Sequence, residues 1–127
     1  MSGSLLDTSV LIASDETGAL ELPETAAISV ITLGELSAGV LIARDAAICR
    51  HRARRLAVVR AAFLPLPVDE LVAKRYGEVL AVARSQRRAA KATDLLIIAT
   101  AAATERELHT LDAAQARLAE VAGVATT

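Results

Sequence analysis

With 127 residues and a net charge of −1, the chain has the size of one domain, residues 1–127, and its 54% hydrophobic but 2% aromatic composition demands a core of Leu, Val, Ile and Ala. Its one cysteine, Cys49, excludes an internal disulfide, and its longest charge-free apolar run, residues 95–103, falls far short of the roughly 20 residues of a membrane-spanning helix. No basic residue precedes the first apolar stretch, as a secretory leader requires, so the expectation is a cytoplasmic protein with no membrane partner.

Residues 3–7 read as a first strand running into Asp7, with Thr8 or Ser9 capping a short helix to Ser14. Residues 15–18, Asp-Glu-Thr-Gly, read as a turn. The β-branched run 26–31 is a second strand, and a second helix starts at Thr32 with Leu33, Leu36, Val40 and Leu41 as its apolar stripe. Asp45 is placed to cap a third helix over about 46–63, with Leu56, Val59 and Phe63 on one face. Two prolines reduce residues 64–68 to a short edge strand.

Asp69 then caps a fourth helix whose buried side is Val72, Tyr76, Val79 and Ala83. If that helix continues, Arg84, Arg87, Arg88 and Lys91 form one basic stripe at i, i+3, i+4 and i+7. Thr93 caps a fifth helix with Leu95, Ile98, Ala99 and Ala102 towards the core. Residues 109–111 are a short strand ending at Asp112, a helix follows over about 113–120, and residues 123–125 are a last short strand. Alternating strands and helices make this an α/β chain with a parallel, doubly wound sheet.

Charge is unevenly spread. Residues 44–91 hold twelve bases against four acids, whereas residues 1–43 hold six acids and no base. A basic middle of this kind can mark a nucleic-acid surface, though charge alone favours two solvated Arg-rich helices.

In open parallel sheets, ligands bind beyond the carboxyl ends of the strands. Asp7 and Asp112 stand at such ends, Glu35 lies one turn into the helix after the second strand, and Asp94 opens a helix. Four acids on four strand-to-helix or helix-start positions can converge, and converged carboxylates repel unless a cation neutralises them. An all-oxygen donor set suits Mg2+ or Mn2+ rather than zinc. Singly, each acid has a plainer explanation: Asp7, Asp94 and Asp112 as helix caps, and Thr32-x-x-Glu35 as a capping box.

The motifs LLDTSVLI, TLGELSAG, ATDLLIIATA and HTLD, in that order, closely resemble the PIN domain, and most of all the VapC-type toxins of toxin–antitoxin pairs. The resemblance covers nearly the whole chain. It implies a five-stranded parallel sheet flanked by helices and an Mg2+- or Mn2+-dependent ribonuclease acting on RNA. It also implies a homodimer and a small antitoxin partner. Matched motif by motif, Asp7, Glu35, Asp94 and Asp112 are the metal-binding and catalytic acids, with Ser9 and Thr110 as supporting hydroxyls. Many relatives carry a further acid two or three residues after the last of these, often followed by Phe; here Ala114 and Gln115 occupy those positions.

Arg84, Arg87, Arg88 and Lys91 are then candidate contacts to RNA phosphates, and the bases from Arg50 to Arg60 a candidate surface for an acidic antitoxin segment. His51 and His109 read as structural or surface residues, Tyr76 as core and Cys49 as filler. Two alternatives from other classes remain: a PIN-like binding module without activity, and a phosphotransfer enzyme. The latter lacks the second Asp that an Asp-x-Asp site needs, since Ser9 stands there, and no Lys follows Lys91.

Overall fold

Leu5 and Leu6 have no exposed surface, and they point to opposite faces of the same strand. This strand, β1 (Ser4–Leu6), is the centre of the fold in the computed structural model, which describes residues 3–17 and 25–127. Beside it lie β2 (Ala26–Ser29), β3 (Pro65–Leu66) and β4 (Glu107–His109), all parallel, in the order β3-β2-β1-β4. Leu5 is in register with Ala27 on one side and Leu108 on the other. Six helices complete the described chain: α1 (Thr8–Thr17), α2 (Val30–Leu41), α3 (Ala46–Ala62), α4 (Glu70–Ser85), α5 (Ala92–Ala103) and α6 (Ala113–Val121).

The sheet divides two cores. Leu5, Ala27 and Leu108 pack with Val79 and Ala83 of α4, with Leu95, Ile97, Ile98 and Ala101 of α5, and with Leu118 of α6. Leu6 and Ile28 pack on the other face with Val10 and Leu11 of α1, Leu36 of α2 and Val59 of α3. Helix α5 is buried beyond the expected Leu95, Ile98 and Ala99, because Ile97, Thr100 and Ala101 are buried too. The Thr100 hydroxyl donates back to the Leu96 carbonyl at 2.8 Å, so it enters the core with its hydrogen bond made. Among the described residues, no helix is long and apolar enough to cross a membrane.

Several expectations change. The sheet has four strands among the described residues, not five. The expected strand at residues 123–125 is replaced by one parallel bridge, Leu108 to Thr126. The cap of α6 uses Gly123 and Val124, whose N–H groups bond the carbonyls of Glu120 and Ala119, so pairing with β4 begins only at Ala125. Helix α1 runs to Thr17 through the expected turn, of which Gly18 lies outside the described residues; His51 of α3 holds its last turn through Asp15 at 2.8 Å.

Strand β2 stops at Ser29, whose hydroxyl accepts from the Ile31 N–H at 3.0 Å and starts α2 two residues before Thr32. The α2 stripe ends early, leaving Leu41 exposed. Asp45 and Asp69 cap α3 and α4 as expected. Thr93 does not cap α5, which begins at Ala92 after Lys91, with no side-chain cap bond. Strand β4 ends at His109, not Leu111, because the Thr110 side chain turns away into the network around Asp7.

The basic stripe does not form. Helix α4 stops at Ser85, and Arg87 adopts a left-handed φ of 52°. The Arg88 N–H bonds the Ala83 carbonyl and the Arg87 N–H that of Arg84, a Schellman closure that ends the helix before the four bases can share one helical face. Helix α5 closes in the same way on Glu105, with φ 53° and the Arg106 N–H on the Ala101 carbonyl.

A β-carbon in this conformation is strained, and glycine is not. Glu105→Gly is therefore expected to stabilise the fold by about 1 kcal/mol, a rise of a few degrees in thermal midpoint. Thermal unfolding monitored by circular dichroism checks this; an unchanged or lowered midpoint would show that Glu105 contributes a contact worth more than the strain.

Candidate active site

Asp7 is the first residue after β1 and is 5% exposed. Its N–H bonds the His109 carbonyl at 2.9 Å, which extends the β1–β4 ladder by one bond and fixes its backbone. Its carboxylate is held on one oxygen: Oδ2 accepts from the Ser9 hydroxyl at 2.7 Å, the Thr110 hydroxyl at 3.0 Å and the Ser9 N–H at 3.3 Å. Both hydroxyls are themselves oriented from the chain between β4 and α6. Ser9 Oγ accepts from the Leu111 N–H at 3.1 Å, and Thr110 Oγ1 from the Asp112 N–H at 3.1 Å. Each hydroxyl thus relays a backbone donor to a buried carboxylate, which keeps the charge satisfied.

Asp112 caps α6, its Oδ1 accepting from the N–H groups of Ala114 and Gln115 at 2.9 and 3.2 Å. Here the capping role exists, and it occupies one oxygen only. For Glu35 the capping box is absent, since α2 starts at Val30 and its cap is Ser29. Instead, Glu35 Oε1 accepts from the Thr8 hydroxyl at 2.7 Å, and Thr8 Oγ1 lies 3.1 Å from that of the buried Thr32. Asp94 is the third residue of α5 and receives no hydrogen bond among the described residues.

The Asp94 carboxyl lies above its ordinary value. Burial is the first cause, followed by the charges of Asp7, Glu35 and Asp112, against a smaller lowering by Lys91. Four acids from four elements thus share one electrostatic neighbourhood at the carboxyl end of the sheet. They do not close on one point: among the described residues, no three His, Cys, Asp or Glu side chains stand in ligating geometry.

The acids border two recesses. One, of about 270 Å³, is lined by Asp94, Asp112, Arg88 and Gln115. The other, of about 480 Å³, runs from Thr8 and Glu35 along Ile12, Leu36, Ile42 and Ile48 to Arg52 and Arg55. Of the four candidate RNA-binding bases, Arg88 and Lys91 stand beside the acids, whereas Arg84 and Arg87 are exposed at the end of α4. His51 pairs with Asp15, and His109 Nδ1 with the Thr127 hydroxyl. Thr8, Thr32 and Gln115 were not singled out as site residues by the sequence. Thr8 and Thr32 carried a signal, hydroxyls flanking acidic motifs, but it reads equally as helix capping.

Residues 4–121 match the model of the PIN domain. The chain belongs to the PIN-domain family. It is 47% identical over 100 residues to Ribonuclease VapC8 of Mycobacterium tuberculosis, covering 76% of this chain and 88% of that protein. Ribonuclease VapC5 of the same organism is 37% identical over 117 residues, 87% of this chain and 84% of that protein. Among solved structures, VapBC-5 from Mycobacterium tuberculosis, a member of the VapBC family of toxin–antitoxin systems, superposes with a TM-score of 0.85. It shares 32% identity and covers 99% of this chain and 98% of that one. FitAcB from Neisseria gonorrhoeae gives a TM-score of 0.75 at 26% identity, with 97% and 95% covered.

The electrostatics of this PIN domain yield a stability prediction. A raised Asp94 value means that the folded protein binds this proton more tightly than the unfolded chain does. The ionised carboxylate therefore costs stability at neutral pH, and the cost is relieved as pH falls through the folded-state value. Without divalent cations, Asp94→Asn is expected to raise the thermal midpoint at pH 7, with the gain shrinking towards acid pH. Paired melting curves across pH check this; equal midpoints at pH 7 would show that Asp94 is not under like-charge strain.

Proposed function

We propose that this PIN domain is a metal-dependent ribonuclease, the toxin of a toxin–antitoxin pair, which hydrolyses RNA phosphodiester bonds in the cytoplasm. The observation that carries the proposal is the gathering of four acids at the carboxyl end of the sheet, Asp7 after β1, Glu35 in α2, Asp94 in the first turn of α5 and Asp112 at the cap of α6. The ribonuclease relatives and the toxin–antitoxin structures supply the reaction class and the partner class.

The donor set fits a hard divalent ion, Mg2+ or Mn2+. It is made of carboxylates with hydroxyls around them, and neither Cys nor His is among the residues that hold it. Glu35 and Asp112 each have one oxygen engaged by protein donors, leaving the other for a cation. Asp7 and Asp94 are its principal ligands in this proposal, with Glu35 and Asp112 completing the acidic ring. Bound there, the ion supplies Lewis acidity towards the phosphate and lowers the pKa of the attacking water.

The chain's own residues do the placing. Ser9 and Thr110 anchor the Asp7 carboxylate through Oδ2. Thr8 holds Glu35, whose free oxygen is placed to orient water or a ligand. Arg88 and Lys91 offer positive charge to the phosphate backbone beside the acids.

A small antitoxin is the proposed partner, and a homodimer the proposed assembly. The recess beside Glu35 has an apolar wall of Ile12, Leu36, Ile42 and Ile48, edged by Arg52 and Arg55. This suits an amphipathic segment with acidic residues. Arg52 already donates to the Gly39 carbonyl at 2.7 Å, and Arg55 lies 3.6 Å from Asp15, so both guanidinium groups are held at the rim.

Asp7→Ala and Asp94→Ala proteins are expected to fold and to lose cleavage of RNA by at least a hundredfold. Chelation should silence the wild type, and Mg2+ or Mn2+ should restore it. Undiminished cleavage by purified Asp94→Ala protein would overturn the assignment, and absence of any metal-dependent cleavage by the wild type would favour a binding module. For the partner, Ile42→Asp is expected to leave free-toxin cleavage intact while weakening inhibition by the antitoxin about tenfold or more. Inhibition titrations measure this, and an unchanged inhibition curve removes the recess from the antitoxin interface.

A further inference from the structure

One buried polar side chain at the site has no part in the scheme above. Gln115, the third residue of α6, is 4% exposed and lines the recess that holds Asp94 and Asp112. Its amide faces Asp7 and Thr110. The orientation that places Nε2 towards the carboxylate makes three donor contacts: Asp7 Oδ2 at 3.0 Å, Thr110 Oγ1 at 3.1 Å and Asp7 Oδ1 at 3.2 Å. The opposite orientation sets the amide oxygen against carboxylate oxygens and leaves the amide nitrogen without an acceptor, which the chemistry of the pair disfavours.

We infer that Gln115 is a positioning residue, its carboxamide clamping both oxygens of Asp7 and so fixing the carboxylate plane on which cation binding depends. The inference rests on the reading of Asp7 as a cation ligand. Ser9 and Thr110 reach only Oδ2 and by themselves leave rotation about that oxygen open. Gln115 is the side chain that also reaches Oδ1. It is neutral, so it donates without adding a fifth charge to the acids. Its own backbone N–H is taken by Asp112 Oδ1, so the cap of α6 and the clamp on Asp7 are parts of one rigid turn. Partners of this kind typically change metal affinity by about 10- to 100-fold when removed.

The sequence makes the test direct, because it holds two glutamines, Gln86 and Gln115, and no asparagine. A 1H–15N spectrum of the wild-type protein therefore contains two side-chain amide pairs, one from the exposed Gln86 at the end of α4 and one from Gln115. The Gln115 pair is expected away from the free-amide position, slow to exchange with water and shifted by added Mg2+, with the Gln86 pair unmoved. Gln115→Met, which keeps bulk and length but removes the donors, is expected to weaken Mn2+ binding about tenfold by calorimetry. Val79→Ala, a core substitution in α4, should lower the thermal midpoint yet leave Mn2+ affinity unchanged, which separates positioning from general loosening.

A Gln115 pair at the free-amide position that ignores Mg2+, or wild-type Mn2+ affinity in Gln115→Met, would overturn the inference. Should Gln115→Met not fold, the wild-type spectrum decides. Asp7→Asn in the same calorimetric assay distinguishes the two levels. If it abolishes Mn2+ binding while the Gln115 results are negative, only the clamp fails; if it binds Mn2+ like the wild type, the cation-site reading fails and the clamp with it.

Discussion

The constraint on which the site depends is the burial of a carboxylate at the end of the central strand. A charged group at 5% exposure is tolerable only if its oxygens find donors. Asp7 finds them in Ser9, two positions on, and in Thr110, 103 positions away. That single requirement explains why the chain leaves the sheet at His109, why Thr110 turns inward and why α6 begins where it does. The loop after β4 is shaped by the needs of the residue after β1.

The sheet makes this possible because it is parallel and thin. All four strands end on one side, so the helices that follow β1, β2 and β4 begin at that side and deliver Asp7, Glu35 and Asp112 there. Helix α5 is different. It follows no strand directly. It is held because its apolar residues are buried around nearly its whole circumference, which leaves the helix start, with Asp94, as the end open to the site. A helix so enclosed cannot slide without exposing Ile97 or Ile98, neither of which has any exposed surface.

What could be read from the sequence follows the range of the interactions involved. Asp45, Asp69 and Asp112 cap helices that begin within one residue of them, and local chemistry identified these starts. The two leucines before Asp7 announced a buried strand. Element ends set by competition are not legible locally: Ser29 captures the start of α2 from Thr32, and the left-handed Arg87 ends α4 before the bases can align. The fifth strand expected from the family resemblance came down to a single bridge because the cap of α6 consumed the residues that would have paired. The four acids were legible as a set, and Ser9 and Thr110 through the resemblance. The Thr8–Glu35 bond, 27 positions apart, and the Gln115 amide on Asp7 were not, because nothing local distinguishes a hydroxyl or an amide that reaches across the fold from one that faces water.

The balance at Asp94 shows which forces prevail at this end of the sheet. Its place in the first turn of α5 exposes it to the positive end of the helix, an effect typically worth about 0.3–1 kcal/mol in favour of the ionised form. Lys91, the residue before the helix, acts in the same direction. Both would lower the carboxyl's affinity for its proton, yet the net shift is upward. Burial and three neighbouring carboxylates therefore outweigh the Lys91 ammonium. Two ways exist to relieve such a surplus of negative charge: a proton on Asp94 or a cation among the acids. Asp7, Glu35 and Asp112 are each held by hydroxyl or backbone N–H donors, so the negative charge that raises the Asp94 carboxyl is fixed in place rather than dispersed.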